Sequence, residues 1–81
     1  MKKVLKFQAS WCGPCKMLSK TLSQIQTEIE IEEIDIDQNA ELVSQYRIRG
    51  VPTVVMLIDD VETKRFVGVK GKEEIENWIN N

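Results

Sequence analysis

The sequence contains no histidine and only two cysteines among 81 residues. Without an imidazole, a Ser-His or Cys-His hydrolytic pair and a histidine metal ligand are both excluded. Two cysteines cannot supply the disulfide framework that stabilises small secreted domains. In a reducing compartment, a close cysteine pair is catalytic or metal-binding more often than structural. The two cysteines therefore carry most of the functional information in this chain.

The sequence also has little net charge and no long apolar segment. The net charge is −2 and the pI about 5.1, so electrostatics give no reason to expect a nucleic-acid partner. No apolar stretch approaches the ~20 residues of a membrane span. The basic start of the chain is not followed by the apolar segment of a signal peptide. We expect one domain over residues 1–81, monomeric and cytoplasmic, with no membrane partner.

Hydrophobic periodicity predicts the element order β-α-β-α-β-β-α. Continuous or alternating apolar runs predict strands over residues 4–7, 29–36, 53–58 and 62–67. Apolar residues three or four apart predict helices, and Asn39 is the expected N-cap of the second one. The helical stripes consist of Leu18, Leu22, Ile25 and Ile29, then Leu42, Val43 and Tyr46, and finally Ile75, Trp78 and Ile79.

The cysteines lie in the segment Trp11-Cys12-Gly13-Pro14-Cys15, where the first strand gives way to the first helix. The free N–H groups and positive dipole end of a helix N-terminus favour a thiolate. Cys12, at the start of the helix, is therefore the predicted nucleophile. Cys15 lies one turn further along the same face, within reach of a disulfide bond.

This spacing predicts thiol–disulfide exchange, in which Cys12 attacks a target disulfide and Cys15 resolves the mixed disulfide. Gly13 allows close approach of a partner, and Pro14 stiffens the first helical turn. A CxxC pair also occurs in zinc sites, but zinc needs four ligands, which here would require a second chain or carboxylates. We therefore predict a redox site with no metal, and no cofactor other than the Cys12–Cys15 disulfide itself.

Four segments resemble the thioredoxin family at matching spacings over nearly the whole chain. They are Trp11-Cys12-Gly13-Pro14-Cys15-Lys16-Met17, Ile34-Asp35-Ile36-Asp37-Gln38-Asn39, Tyr46-Arg47-Ile48-Arg49-Gly50-Val51-Pro52-Thr53 and Val67-Gly68. The resemblance implies an α/β thioredoxin fold, a four-stranded mixed β-sheet flanked by three helices. It also implies reduction of disulfides in protein substrates, with a thioredoxin reductase as the electron donor.

The same resemblance assigns a substrate-docking surface. It implies that the Val51–Pro52 peptide bond is cis and packs beside the cysteine pair. The Val51 backbone would then pair with an extended substrate. Trp11, Val51, Pro52, Gly68 and Val69 would frame the surface.

The chain departs from the family in length, and in this respect it is similar to short phage or archaeal forms. Family members usually carry a further strand and helix before the segment that matches residue 4. We therefore expect four strands rather than five, with residues 4–7 nearer an edge of the sheet.

A second departure concerns charge. The family usually has a buried aspartate where this chain has Lys6, and commonly a lysine where it has Glu33. The exchange suggests a partly buried Lys6–Glu33 pair beneath the site, with Glu33 assisting proton transfer at Cys15. In the alternative arrangement, the Lys6 ammonium reaches solvent and Glu33 lies on the surface.

Two other functions remain open at this point. A glutaredoxin-like, glutathione-dependent reductase has a similar size, although its usual Pro-Tyr between the cysteines is replaced by Gly13-Pro14 and it has a Gly-Gly pair that this chain lacks. A thioredoxin-fold binding subunit of another enzyme would leave both cysteines dispensable. The natural substrate and the redox potential do not follow from the sequence.

Overall fold

Seven elements follow one another in the predicted order in a computed structural model that describes all 81 residues. The strands are β1 (Lys2–Gln8), β2 (Glu30–Asp35), β3 (Thr53–Ile58) and β4 (Val61–Val67). The helices are α1 (Gly13–Ser23), α2 (Ala40–Gln45) and α3 (Lys72–Asn80). None of these helices has the length and apolar composition that a membrane span requires.

The four strands form one mixed sheet in the order β2-β1-β3-β4. β1 pairs with β2 in parallel and with β3 antiparallel, and β3 pairs antiparallel with β4. The parallel pair is joined through α1, as a crossover connection requires. β1 lies inside the sheet, one strand from the β2 edge, which agrees with its expected position. The predicted four-stranded mixed sheet with three helices is confirmed.

The side chains of the strands alternate between two faces, each covered by helices. On the α1/α3 face, Val4 joins a cluster of nine buried apolar residues that includes Leu18 and Ile75. On the α2 face, Leu5 and Phe7 join a cluster of five. Both clusters share the interior strands β1 and β3, so the core is continuous through the sheet.

One helix boundary differs from the predictions. α1 ends at Ser23, although the apolar stripe was expected to continue through Ile25 and Ile29. The amides of Gln24 and Ile25 bond to carbonyls only three residues back, which tightens and ends the last turn. Ile25 nevertheless remains buried, so the stripe correctly predicted burial but not helix length.

The predicted N-cap position of α2 is confirmed, but its side chain is used differently from an ordinary cap. Asn39 occupies the N-cap position, but its side chain makes no capping hydrogen bond. Instead, Asn39 Nδ2 donates to the Asp35 carbonyl at 2.9 Å. The side chain therefore fastens the connection between β2 and α2 rather than satisfying an amide of the helix.

Candidate active site

The two cysteines are joined in a disulfide at the N-terminus of α1, with their Cα atoms 5.3 Å apart. Cys12 is the N-cap of the helix, and its amide donates to the Ala9 carbonyl at 3.1 Å. The Cys15 amide in turn donates to Cys12 Sγ at 3.1 Å. Both residues are buried, Cys12 to 5% exposure and Cys15 to 2%. The strand-to-helix junction thus places one sulfur against a free amide of the helix.

Two further loops meet the disulfide at this end of the sheet. Ile36 and Val51 pack against the cluster of Ala9, Cys12 and Cys15. The Val51–Pro52 peptide bond is cis, as the resemblance implied. The Pro52 carbonyl accepts a hydrogen bond from the Gly68 amide at 2.9 Å. Gly68 has φ 91°, a left-handed conformation that favours glycine.

Two apolar side chains of the predicted docking surface are exposed. The side chain of Trp11 is 67% exposed and that of Val69 is 44% exposed. Trp11 Nε1 donates to Asp37 Oδ2 at 3.0 Å, which fixes one edge of the indole. The backbone of Val51 makes no backbone hydrogen bond within the chain, so its N–H and C=O are free to pair with a ligand. A Cβ placed on Gly13 would contact no other part of the chain, so this position faces outward.

Lys6 lies beneath the disulfide and is fully buried, at 0% exposure. Its Nζ donates to the Cys15 carbonyl at 3.0 Å, to Gln8 Oε1 at 2.5 Å and to Ser19 Oγ. Glu33 is the register partner of Lys6 on β2, and its Oε2 lies 3.3 Å from Lys6 Nζ. The predicted pair is present, and the alternative in which the Lys6 ammonium reaches solvent is wrong. Internal oxygen acceptors hold the ammonium in place of water.

The Glu33 side chain remains 48% exposed while its inner oxygen is hydrogen-bonded. Ser19 Oγ donates to Glu33 Oε2 at 2.8 Å. This hydrogen bond, with the bond and charge of Lys6, holds the pKa of Glu33 below its ordinary value despite partial desolvation. Glu33 is therefore an ionised carboxylate with one oxygen turned toward the buried lysine.

Ser19 was not predicted as a site residue. It follows Cys15 by four positions on α1, which places both residues on one face of the helix, toward the sheet. That spacing was visible in the sequence. What the sequence did not show is that Lys6 is buried and needs acceptors from this helix.

An open pocket of roughly 310 Å³ adjoins the buried cysteine. Its lining includes Cys15, Gln8 and Ser19, together with the charged residues Lys16 and Asp35. Water therefore has a route to Cys15 from the side of β1 and β2. No group of three or more His, Cys, Asp or Glu side chains is arranged to hold a metal ion.

Comparison with known proteins shows one family throughout. The thioredoxin family model matches residues 1–81. A thioredoxin from Chlamydia pneumoniae is 39% identical over 77 residues, which is 91% of this chain and 76% of that protein. A thioredoxin from Bacillus subtilis is 36% identical over 78 residues, which is 91% of this chain and 75% of that protein.

The solved structures agree with the sequence comparison. A mutant thioredoxin from Halobacterium salinarum superposes with a TM-score of 0.92 at 34% identity, covering 98% of this chain and 72% of that one. A Fasciola hepatica thioredoxin superposes with a TM-score of 0.87 at 30% identity, covering 98% of this chain and 78% of that one. The fold is thus shared with solved structures of proteins named as thioredoxins.

Proposed function

The chain belongs to the thioredoxin family and is a thiol–disulfide oxidoreductase, and from this premise we propose that it reduces disulfide bonds in protein substrates through Cys12 and Cys15. The observation that carries the proposal is the hydrogen bond from the Cys15 amide to Cys12 Sγ at the start of α1. An N–H group aimed at sulfur stabilises a thiolate more than a thiol, and the helix dipole acts in the same direction. Cys12 is therefore the attacking residue.

In the first step, the Cys12 thiolate attacks one sulfur of the substrate disulfide. A Cys12–substrate disulfide forms, the substrate S–S bond breaks, and the leaving sulfur departs as a thiolate that takes a proton from water. Cys15 lies one turn inside the helix, so the same helix that stabilises the nucleophile also holds the second thiol in range.

In the second step, Cys15 loses its proton and attacks Cys12 Sγ. The Cys12–Cys15 bond forms as the mixed disulfide breaks, and the second substrate sulfur leaves as a thiolate and is protonated. The substrate gains two electrons and two protons in total, and the protein ends in the disulfide form. Gly13 supports this exchange because it leaves room for the substrate next to the disulfide. Pro14 supports it because its ring restricts the backbone of the first turn of α1.

We assign substrate docking to the surface around Trp11, Val51, Gly68 and Val69, with the predicted docking residue Pro52 buried directly beneath it. The unpaired backbone of Val51 supports this assignment because an extended peptide can add main-chain hydrogen bonds there. The exposed Trp11 and Val69 side chains offer apolar contacts to such a peptide. One chain carries both cysteines and the whole docking surface, which supports action as a monomer.

A dithiol that reduces substrates must itself be reduced again. Its family supports a thioredoxin reductase as the donor, and a reducing compartment such as the cytoplasm keeps such a pair active. Coupled assays test this choice: NADPH consumption with thioredoxin reductase is expected to exceed that with glutathione and glutathione reductase by at least about tenfold. The reverse ratio would make the protein glutaredoxin-like.

Reduction of insulin by dithiothreitol, followed as precipitation of the freed B chain, tests the function. The wild type is expected to accelerate precipitation, and Cys12→Ser to return it to the dithiothreitol background, because the remaining thiol, Cys15, is buried and does not reach a protein substrate. Cys15→Ser is expected to accumulate covalent mixed disulfides with the substrate, since nothing resolves them. A wild-type rate equal to background would contradict the reductase proposal and favour a binding role.

A further inference from the structure

Lys6 has no part in the two exchange steps above, yet it is one of the largest fully buried side chains in the molecule. Lysine is almost never fully buried unless it is paired. Here Nζ is surrounded by four oxygens, from the Cys15 carbonyl, Gln8, Ser19 and Glu33. Such a residue demands an explanation beyond packing, because an apolar side chain would fill the same space at lower cost.

The contacts of Lys6 identify it as an ammonium. A neutral amine has two N–H donors, whereas an ammonium has three and complements acceptors on all sides. One of the four acceptors is an ionised carboxylate, which adds charge assistance. A positive charge therefore lies under the first turn of α1, in direct contact with the backbone of Cys15.

The Lys6–Glu33 pair has no net charge, but the fields of its two members do not cancel at the cysteines. Lys6 is fully buried, so little water screens it, while the Glu33 side chain is 48% exposed and is screened. The positive member donates a hydrogen bond to the Cys15 carbonyl, whereas the negative member, on β2, makes its contacts with Lys6 and Ser19 and none with Cys15. The field that reaches the cysteine pair is thus predominantly that of the cation.

We propose that Lys6 is a positioning residue for the resolving step, a fixed buried cation that stabilises Cys15 as a thiolate. The proposal rests on the proposed function for its place in catalysis. When Cys15 ionises in the mixed disulfide, its proton passes to water in the adjoining pocket. The thiolate electron pair then forms the bond to Cys12 Sγ, and the substrate sulfur leaves with the electrons of the broken bond.

This role differs from that of a carboxylate base. A base removes the Cys15 proton, whereas a cation makes the proton easier to lose. Glu33 is poorly suited to the first role because its pKa is lowered and its inner oxygen already accepts hydrogen bonds from Lys6 and Ser19. That Glu33 itself accepts the proton stays a prediction, and the experiment below separates the two roles.

Other charged groups near Cys15 do not replace Lys6. Lys16 and Asp35 both line the pocket, carry opposite charges and are accessible to water. Asp35 Oδ1 is also occupied by the Asp37 amide, at 2.9 Å. From β3, the residue in register with Lys6 is the apolar Val54. Lys6 is the fully buried charge in this group.

The test measures thiolate absorbance near 240 nm against pH in a Cys12→Ser background, where Cys15 is the remaining thiol. Lys6→Gln, which removes the charge and keeps an N–H donor, is expected to move the ionisation midpoint up by about one unit or more. Glu33→Gln removes the negative charge that partly offsets Lys6, and it is expected to lower the ionisation midpoint of Cys15. Lys20→Gln removes a positive charge from the exposed face of α1 and is expected to leave the midpoint in place.

With both cysteines present, the rate of the resolving step at neutral pH is expected to fall about threefold for each pH unit by which the ionisation midpoint of Cys15 rises. The loss is smaller than tenfold because a more basic thiolate is also a better nucleophile. If Glu33 were the proton acceptor, Glu33→Gln would slow this step instead of easing ionisation. Lys6→Arg, which keeps the charge, is expected to preserve the wild-type midpoint.

An unchanged or lowered midpoint in folded Lys6→Gln would overturn the proposal. If Lys6→Gln does not fold, an unchanged or raised midpoint in Glu33→Gln overturns it equally. The titration needs no substrate, so its outcome is separate from that of the insulin assay. A wild type that fails to reduce insulin contradicts the proposed function, whereas a midpoint insensitive to both charges contradicts only the role of Lys6.

Discussion

The two faces of the sheet are built by different means. The α1/α3 face buries nine apolar residues beneath helices of 11 and 9 residues. The α2 face buries five, and α2 has only 6 residues, none of them buried. The helix that carries the disulfide therefore lies on the face with the larger apolar core, and the opposite face is thinly covered.

Two neighbouring residues of β4 show how each face retains its helix. Lys64 and Arg65 alternate across the sheet, and each donates to a carbonyl near the C-terminus of a helix. Lys64 Nζ bonds to the Trp78 carbonyl of α3 and lies 4.9 Å from the centre of the indole ring. Arg65 Nη2 bonds at 2.7 Å to the carbonyl of Tyr46, the C-cap of α2. Cations at helix C-termini also interact favourably with the helix dipole.

The hydrogen bond from a β4 cation to a helix carbonyl contributes a different share of helix stability on each face. α3 is held in addition by Ile75 and Ile79, both completely buried. α2 has no buried side chain, so the Arg65 contact is a larger share of what fixes it. Burial secures the helices of the α1/α3 face, and polar contacts secure α2. This difference predicts which substitutions unfold the protein and which only loosen it.

The largest effect is expected from the apolar core of the α1/α3 face. Ile75→Ala is expected to cost about 3 kcal/mol in the free energy of unfolding, because it leaves a cavity in a fully buried position. Leu42→Ala, on α2, is expected to cost about 1 kcal/mol, since Leu42 is only half-buried. Urea unfolding measures both. Equal losses would show that the two faces contribute alike and would break the comparison.

This contrast between the faces was only partly visible in the sequence. The spacing of Ile75, Trp78 and Ile79 predicted a helix with a buried stripe, because a long apolar repeat has few other interpretations. The pattern of Leu42, Val43 and Tyr46 has the same form, yet it forms a helix with no fully buried residue. Periodicity predicts which side chains face the core, but not how completely the surrounding elements bury them.

Within the active site, the sequence was most informative where chemistry is local. The positions of Cys12 and Cys15 follow from the strand-to-helix junction. The Lys6–Glu33 pair joins two strands and is not local, and it was predicted from the family resemblance because both charges are exchanged. The full burial of Lys6 did not follow, because it depends on acceptors that three separate elements bring together. Ser19 was missed for the same reason, since its role exists only once the lysine is buried beneath α1.

A smaller effect is expected from the two β4 cations. Arg65→Met keeps the apolar stem and removes the hydrogen bond to the Tyr46 carbonyl. We expect this loss to lower the free energy of local opening of α2 by about 1.5 kcal/mol. Amide hydrogen exchange within α2 is expected to accelerate about tenfold. Lys64→Met is the matched control on the other face, and the amides of α3 are expected to stay protected because Ile75 and Ile79 still hold the helix. Faster exchange in α3 than in α2 would reverse the assignment.

The smallest effect concerns pH, because only one of these two cations has a carboxylate partner. Glu62 binds Arg65 through two oxygens, at 2.6 and 2.7 Å. The hydrogen bonds from Arg65, with its charge, hold the pKa of Glu62 below its ordinary value against partial desolvation. A lowered folded-state pKa stabilises the protein above the unfolded value of about 4.3, and this stabilisation is lost as pH falls through the folded value. The contacts of Lys64, a carbonyl and an indole ring, do not titrate in this range.

The difference in unfolding free energy between wild type and Glu62→Gln, measured from pH 7 to pH 3, isolates this contribution. We expect the wild type to be more stable at pH 7 by less than about 1 kcal/mol, since the pair is about one-third exposed, and the advantage to shrink as the pH falls toward 3. Glu33 and Asp59 also have lowered pKa values, but they titrate in both proteins and cancel in the difference. Glu28→Gln, at an exposed position, is the control and is expected to show no such trend. A constant difference across the range would mean that Arg65 holds α2 without help from Glu62, and acid would then loosen neither face selectively.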